Sequence, residues 1–131
     1  MTENRALYEQ SISFFHTQDL EATTTFYEQL GLPLKLDQGL CRIFQVSNDG
    51  FIGFCTHQKP ASTEGVIITL VTSKVEEVCA QLKAKGVIFE KEPQSNEQFQ
   101  ITHAFLRDPN GYLVEIQRFD DPRWIKSNPS E

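Results

Sequence analysis

The chain lacks any apolar run near the ~18 residues that a membrane-spanning helix requires, and it has no Cys-x-x-Cys pair and no cluster of basic residues. The first absence excludes a helical membrane anchor. The second removes the usual signature of a dithiol redox centre or structural zinc site: Cys41, Cys55 and Cys79 lie far apart in sequence and are odd in number. They are therefore expected to be reduced thiols that pack as small hydrophobes. The third absence, with a net charge of −6, argues against nucleic acid and anionic membranes as partners. The first ten residues, Met1 to Gln10, are polar and lack the apolar stretch of a secretory leader, so a cytoplasmic location is expected.

What the chain does have is enough apolar material for one folded domain. It is 131 residues long and 39% hydrophobic, with ten Phe, three Tyr and one Trp. Two helices are marked by their ends. Asp19 is placed to cap the first, which stops at Gly31 and offers Ala22, Phe26 and Leu30 as an apolar stripe. Ser73 to Glu76 reads as a capping box for the second, with Val75, Val78, Cys79 and Leu82 as its stripe and Gly86 as its stop.

Strand-like runs precede the helices (residues 12–17 and 66–71) and short apolar stretches follow them (32–36 and 87–89). A hairpin closes each half. Residues 41–46 and 51–56 flank Ser47-Asn48-Asp49-Gly50, and residues 101–107 and 112–118 flank Asp108-Pro109-Asn110-Gly111. Asp19 and Ser73 lie 54 residues apart, and Gly50 and Gly111 lie 61 apart. The polar segment 91–98 reads as the longer connection that causes the drift, and residues 120–131 as a loosely held tail. Two repeated units imply duplication. The predicted class is α+β: two βαβββ modules forming a curved mixed sheet around a shared cavity, the first over about 10–58 and the second over about 64–119.

Register selects the residues expected to face that cavity. A three-residue loop pairing Asp108 with Tyr112 sets Phe105 opposite Glu115 and His103 opposite Gln117, all on one face. The same logic pairs Ser47 with Phe51 and groups Arg42, Phe44, Phe54 and Thr56. Along the first strand, Ile12, Phe14 and His16 share a side. Glu115 stands out, because a carboxylate between the apolar Val114 and Ile116 needs a partner, and His103 is diagonal to it. The expected ligand-binding set is Phe14, His16, Arg42, Phe44, Phe54, His103, Phe105 and Glu115.

Asp19-Leu20-Glu21, Phe26 to Gly31 and Arg107 to Glu115 together resemble the vicinal oxygen chelate superfamily of glyoxalases, extradiol dioxygenases, fosfomycin-resistance enzymes and bleomycin-resistance proteins. The resemblance covers about residues 10–119 and makes residues 1–131 one glyoxalase/bleomycin-resistance-like domain, usually a homodimer. Family enzymes resembling this layout take metal ligands at positions that fall here on Ile12, Val66, Phe54 (Gly53 with a one-residue slip) and Glu115. Only Glu115 carries a ligand atom, and a catalytic site needs about three, so no metal and no cofactor are expected. His16 stands where glyoxalases place a substrate-binding arginine, and Phe105 where the dioxygenases place a tyrosine.

The leading reading is a metal-independent protein that sequesters or senses a small amphipathic or aromatic molecule, with phenylalanine walls, polar contacts from Arg42, His103 and Glu115, and Trp124 either closing over the ligand or anchoring the tail. The alternatives are a lyase or isomerase using Glu115 as general base with His103 as its catalytic partner, or a metalloenzyme whose site has moved to include His103, His16 or His57.

Overall fold

A computed structural model describes residues 6–57 and 62–125. The first five residues, the end of the first expected module at 58 and the tail beyond 125 lie outside the described residues. The chain divides into two compact units, Met1–Ala61 and Ser62–Glu131, and each is described by itself.

The first unit runs β1 (Ser11–His16), α1 (Leu20–Gln29), β2 (Leu34–Asp37), β3 (Cys41–Gln45) and β4 (Gly50–Cys55). Its sheet has the order β1-β4-β3-β2, with β1 parallel to β4 and the other pairs antiparallel. Asp19 caps α1 as expected: its side chain accepts from the Ala22 N–H at 3.0 Å. The helix ends at Gly31, whose φ of +97° suits a residue without Cβ. The expected stripe is rotated, however. Thr23 and Tyr27 are the buried positions, and Ala22, Phe26 and Leu30 are half-buried. Tyr27 turns inward because its ring stacks on Phe54, with centroids 4.8 Å apart. Thr23 is tolerated beside it because its hydroxyl pairs with that of Thr17 at 2.8 Å.

The cysteine expectation needs correction. Cys41 faces Cys55 across β3 and β4 with Cα atoms 4.1 Å apart, and the two form a disulfide. Thirteen intervening residues hid a pairing that the hairpin brings about. Cys79 is free and buried, as expected.

The second unit repeats the order: β5 (Ile67–Val71), α2 (Val75–Ala84), β6 (Lys91–Asn96), β7 (Ile101–Arg107) and β8 (Leu113–Phe119). Its sheet is β5-β8-β7-β6, with β5 parallel to β8. The fold is thus α+β, two βαβββ modules whose strands form one four-stranded mixed sheet each. Val75, Cys79 and Leu82 are buried under α2 as their spacing predicts. The capping box does not form. Lys74 occupies the cap position without a side-chain bond, and Thr72 Oγ1 accepts from the Lys74 N–H at 3.1 Å instead.

Residues 91–98 are not a connection, since β6 occupies 91–96, whereas 87–89 hold no strand. A polar edge strand bonded on one side carries no apolar alternation for sequence reading to find. Pro93 falls where the β6–β7 register shifts, the place an edge strand tolerates it.

Among the described residues, no helix is long and apolar enough to cross a membrane.

Candidate functional site

Each sheet has one face covered by its helix and one face that is not. In the second unit, parallel pairing sets Thr69 beside Glu115, and the antiparallel ladder sets Phe105 opposite Glu115 and His103 opposite Gln117. This is the register predicted for that hairpin. It holds because Gly111 adopts φ +98° and the Asp108 side chain accepts from the N–H groups of Asn110 and Tyr112, at 2.8 and 2.9 Å. The neighbouring Ala104, Leu106, Val114 and Ile116 point the other way, into the core beneath α2.

Glu115 is only 8% exposed, and its oxygens are fully engaged. Thr69 Oγ1 donates to Oε1 at 2.7 Å, and His103 Nδ1 lies 2.6 Å from Oε2. The Gln117 amide, oriented with its nitrogen towards the carboxylate, adds contacts of 2.8 and 3.2 Å. Three donors therefore converge on a carboxylate that a nonpolar strand would not otherwise tolerate. With Nδ1 held by Glu115, the imidazole keeps Nε2 for another group. The Phe105 ring meets the imidazole edge-on at 4.8 Å. Sequence reading anticipated His103, Phe105 and Glu115 but gave no role to Thr69 or Gln117. Their signal was the period of two in β5 and β8, which sets both beside the carboxylate.

Glu115, Gln117 and Phe119 follow one another on the same face of β8. At its far end a cleft of about 340 Å³ is lined by Phe99, Phe119, Asp121, Arg123 and Trp124. Trp124 stacks on Phe119 with centroids 4.1 Å apart, so it anchors the segment after β8.

The first-unit residues separate into two groups. Phe14 and His16 lie on the face away from α1, in line with Gly53 and Cys55. Phe14 covers Gly53 so closely that an added Cβ would meet its ring at 2.6 Å. Arg42, Phe44 and Phe54 do share a face, as expected, but it is the helix side. Phe44 and Phe54 are fully buried against Tyr27, and Arg42 bonds Thr24 and Glu21 of α1 at 2.9 and 2.8 Å. The expectation that these three look into a cavity is thus corrected: an aromatic pair read as ligand walls is the core under α1. The register is also shifted by two residues from the predicted one, with Gln45 rather than Ser47 opposite Phe51, which keeps the same residues cofacial. Gly50 is not at positive φ and enters β4, so residues 47–49 make the turn, closed by the Val46 N–H donating to the Gly50 carbonyl at 2.8 Å.

The same ladders revise the positions equivalent to family metal ligands. On the helix-free faces, β1 and β4 carry Ile12 and Gly53, not Phe54, and β5 carries Ile67, with Val66 outside the strand. Neither isoleucine nor glycine has a side-chain ligand atom, and the Glu115 oxygens are taken up by protein donors. This donor set does not suit a divalent ion at those positions.

The fold and this layout define a two-module protein of the glyoxalase type. The family model for the Glyoxalase/Bleomycin resistance protein/Dioxygenase superfamily matches residues 13–116, and the chain belongs to that family. Similar solved structures include a bleomycin-binding protein in complex with bleomycin, 25% identical with a TM-score of 0.66 over 85% of this chain and 98% of that one. The bleomycin resistance determinant encoded on transposon Tn5 is 21% identical with a TM-score of 0.69, covering 87% and 100%. A glyoxalase/bleomycin resistance protein/dioxygenase from Alicyclobacillus acidocaldarius reaches a TM-score of 0.74 at 15% identity, covering 93% and 99%. Among curated proteins, no relative matches the chain.

Proposed function

We propose that this protein binds a small amphipathic or aromatic molecule on the helix-free face of its second unit, with no resident metal there. The observation that carries the reading is the saturated Glu115 carboxylate holding His103 by Nδ1. A carboxylate whose acceptor sites are all filled by protein donors is an orienting group, which leaves His103 Nε2 to meet a polar atom of the ligand. Phe105 gives an apolar wall beside it, and the aromatic cleft around Phe99, Phe119 and Trp124 extends the same face. The likeness to a structure described as a bleomycin-binding protein with bleomycin bound supports a binding role and makes metal-free bleomycin a sensible probe.

A second reading, proton abstraction by Glu115, is less favoured because the base would first have to give up a bond from Thr69, His103 or Gln117. The helix-free faces also expose Ile12, Phe14, Ile67 and Val71, at 42%, 48%, 54% and 56%. Apolar exposure of this kind supports pairing with a second copy of the chain.

The test is calorimetric titration with metal-free bleomycin and a panel of aromatic, amphipathic compounds, using wild type and His103→Ala. Saturable binding that weakens at least roughly tenfold in the variant, a change of about 1.4 kcal/mol, supports the reading. Equal affinity in both, or no binding across the panel, contradicts it.

A further inference from the structure

Among the described residues outside this site, one cluster of potential metal ligands remains without a role. Cys41 and Cys55 face each other across β3 and β4, and His57 lies two residues beyond Cys55. The Thr56 N–H donates to the Leu40 carbonyl at 2.9 Å, which makes Cys41 and Cys55 a non-hydrogen-bonded pair, the type whose side chains approach most closely. The chain bends after β4 and brings His57 back beside Cys41. Cys41 Sγ lies 3.7 Å from His57 Nδ1, and the ligating atoms of all three residues fall within 4.8 Å of one another. Thiolate and imidazole ligands of one tetrahedral ion, bound at roughly 2.3 and 2.0 Å, stand about 3.6 Å apart. His57 is exposed and Cys41 partly so, which leaves a solvent side for a fourth ligand.

We infer that Cys41, Cys55 and His57 form a site for a thiophilic ion, Zn²⁺ or Cu⁺, that exists only when the disulfide is open. A dithiol reductant opens it. One thiolate attacks a cystine sulfur, the second resolves the mixed disulfide, and the reductant leaves as its own disulfide with Cys41 and Cys55 as free thiols. Metal binding then releases the two thiol protons to solvent and places both thiolates and the imidazole on the ion. The bridge and the ion compete for the same two sulfurs, so oxidation ejects the metal and metal protects the thiols. Binding here is independent of the small-molecule site on the second unit. The third cysteine takes no part: Cys79 is buried, and burial pushes its thiol up to about 11.

The experiment uses untagged full-length protein in two states, air-oxidised and dithiol-reduced, with the reductant removed under anaerobic conditions. Each is dialysed against Zn²⁺ and its metal content measured, and Co²⁺ is added in parallel to read thiolate-to-metal charge transfer. The inference expects about one Zn²⁺ per chain in the reduced protein and a thiolate band with Co²⁺. It expects neither in the oxidised protein nor in reduced Cys41→Ser, unchanged stoichiometry in Cys79→Ala, and at least roughly tenfold weaker binding in His57→Ala. Because His57 is exposed, that variant keeps the fold. Equal metal content in the oxidised, reduced and Cys41→Ser proteins overturns the inference, as does a reduced wild type that takes up no metal.

Discussion

His103 Nδ1 lies 2.6 Å from Glu115 Oε2, although the two residues are not opposite each other on the ladder: His103 pairs with Gln117, and Glu115 with Phe105. The contact is diagonal, so it fixes the imidazole along the strand direction as well as across it. Thr69 closes the other side of the carboxylate from the parallel strand β5. Replacing Glu115 with Gln puts an amide NH₂ among three donors, and at least one of them loses its acceptor. We predict a loss of about 1–3 kcal/mol in urea unfolding and loss of ligand-dependent stabilisation. Thr69→Val, which removes one donor at constant shape, should cost about 1 kcal/mol and weaken ligand binding less than His103→Ala does.

Phe54 and Phe14 are neighbours in the sheet but lie on opposite faces. Phe54 is fully buried and stacked on Tyr27, whereas Phe14 is 48% exposed. Phe54→Ala should therefore destabilise by about 3–5 kcal/mol, and Phe14→Ala by less than about 1 kcal/mol. Equal losses would contradict the assignment of faces in the first unit.

Gly31 and Gly86 end the two helices at φ +97° and +93°, and a Cβ at either position would meet nothing within 4 Å. Alanine there costs only backbone strain, so each substitution should lower stability by about 1 kcal/mol without changing ligand affinity. Thermal unfolding of the two single variants checks this.

Arg118 joins three elements. It donates to Asp120 and to Glu76 of α2, at 2.8 Å each, and to Thr102 of β7 at 3.0 Å. The Thr102 hydroxyl, then the Arg118 guanidinium, hold the Asp120 carboxyl below its usual range, and the Arg118 bond does the same for Glu76. A lowered folded-state value means the unfolded chain takes up the proton first, so the stabilisation is present above the ordinary carboxylate range. It is lost as pH falls through the folded-state values. Asp120→Asn should flatten the acid side of the stability curve, and solvent screening of these exposed groups keeps the effect small. An unchanged acid limb would contradict it.

How much of this was legible in the sequence depended on what each residue's local chemistry had already fixed. Asp19, Gly31, Gly86 and the Asp108 to Gly111 turn have side chains or φ preferences that decide backbone geometry unaided, and from that turn the facing of Phe105 and Glu115 followed by counting. The side of the first sheet that meets α1 could not be read this way. Arg42, Phe44 and Phe54 form one cofacial set whichever side they occupy, and only the packing of Tyr27 shows that it is the core. The Cys41–Cys55 bridge was hidden for a related reason, since it depends on a hairpin register that Gly50 sets by entering β4. Strand β6 escaped because edge pairing uses backbone groups and leaves no pattern in the side chains.

The central claim is that a ligand meets His103 through the nitrogen that Glu115 leaves available. The most direct measurement follows the ring resonances of His16, His57 and His103 by NMR while the tightest-binding compound of the panel is titrated in. The account predicts that the His103 signals move with the same saturation curve as calorimetric binding while those of His57 stay fixed. Saturable binding that leaves the His103 signals unmoved would contradict it.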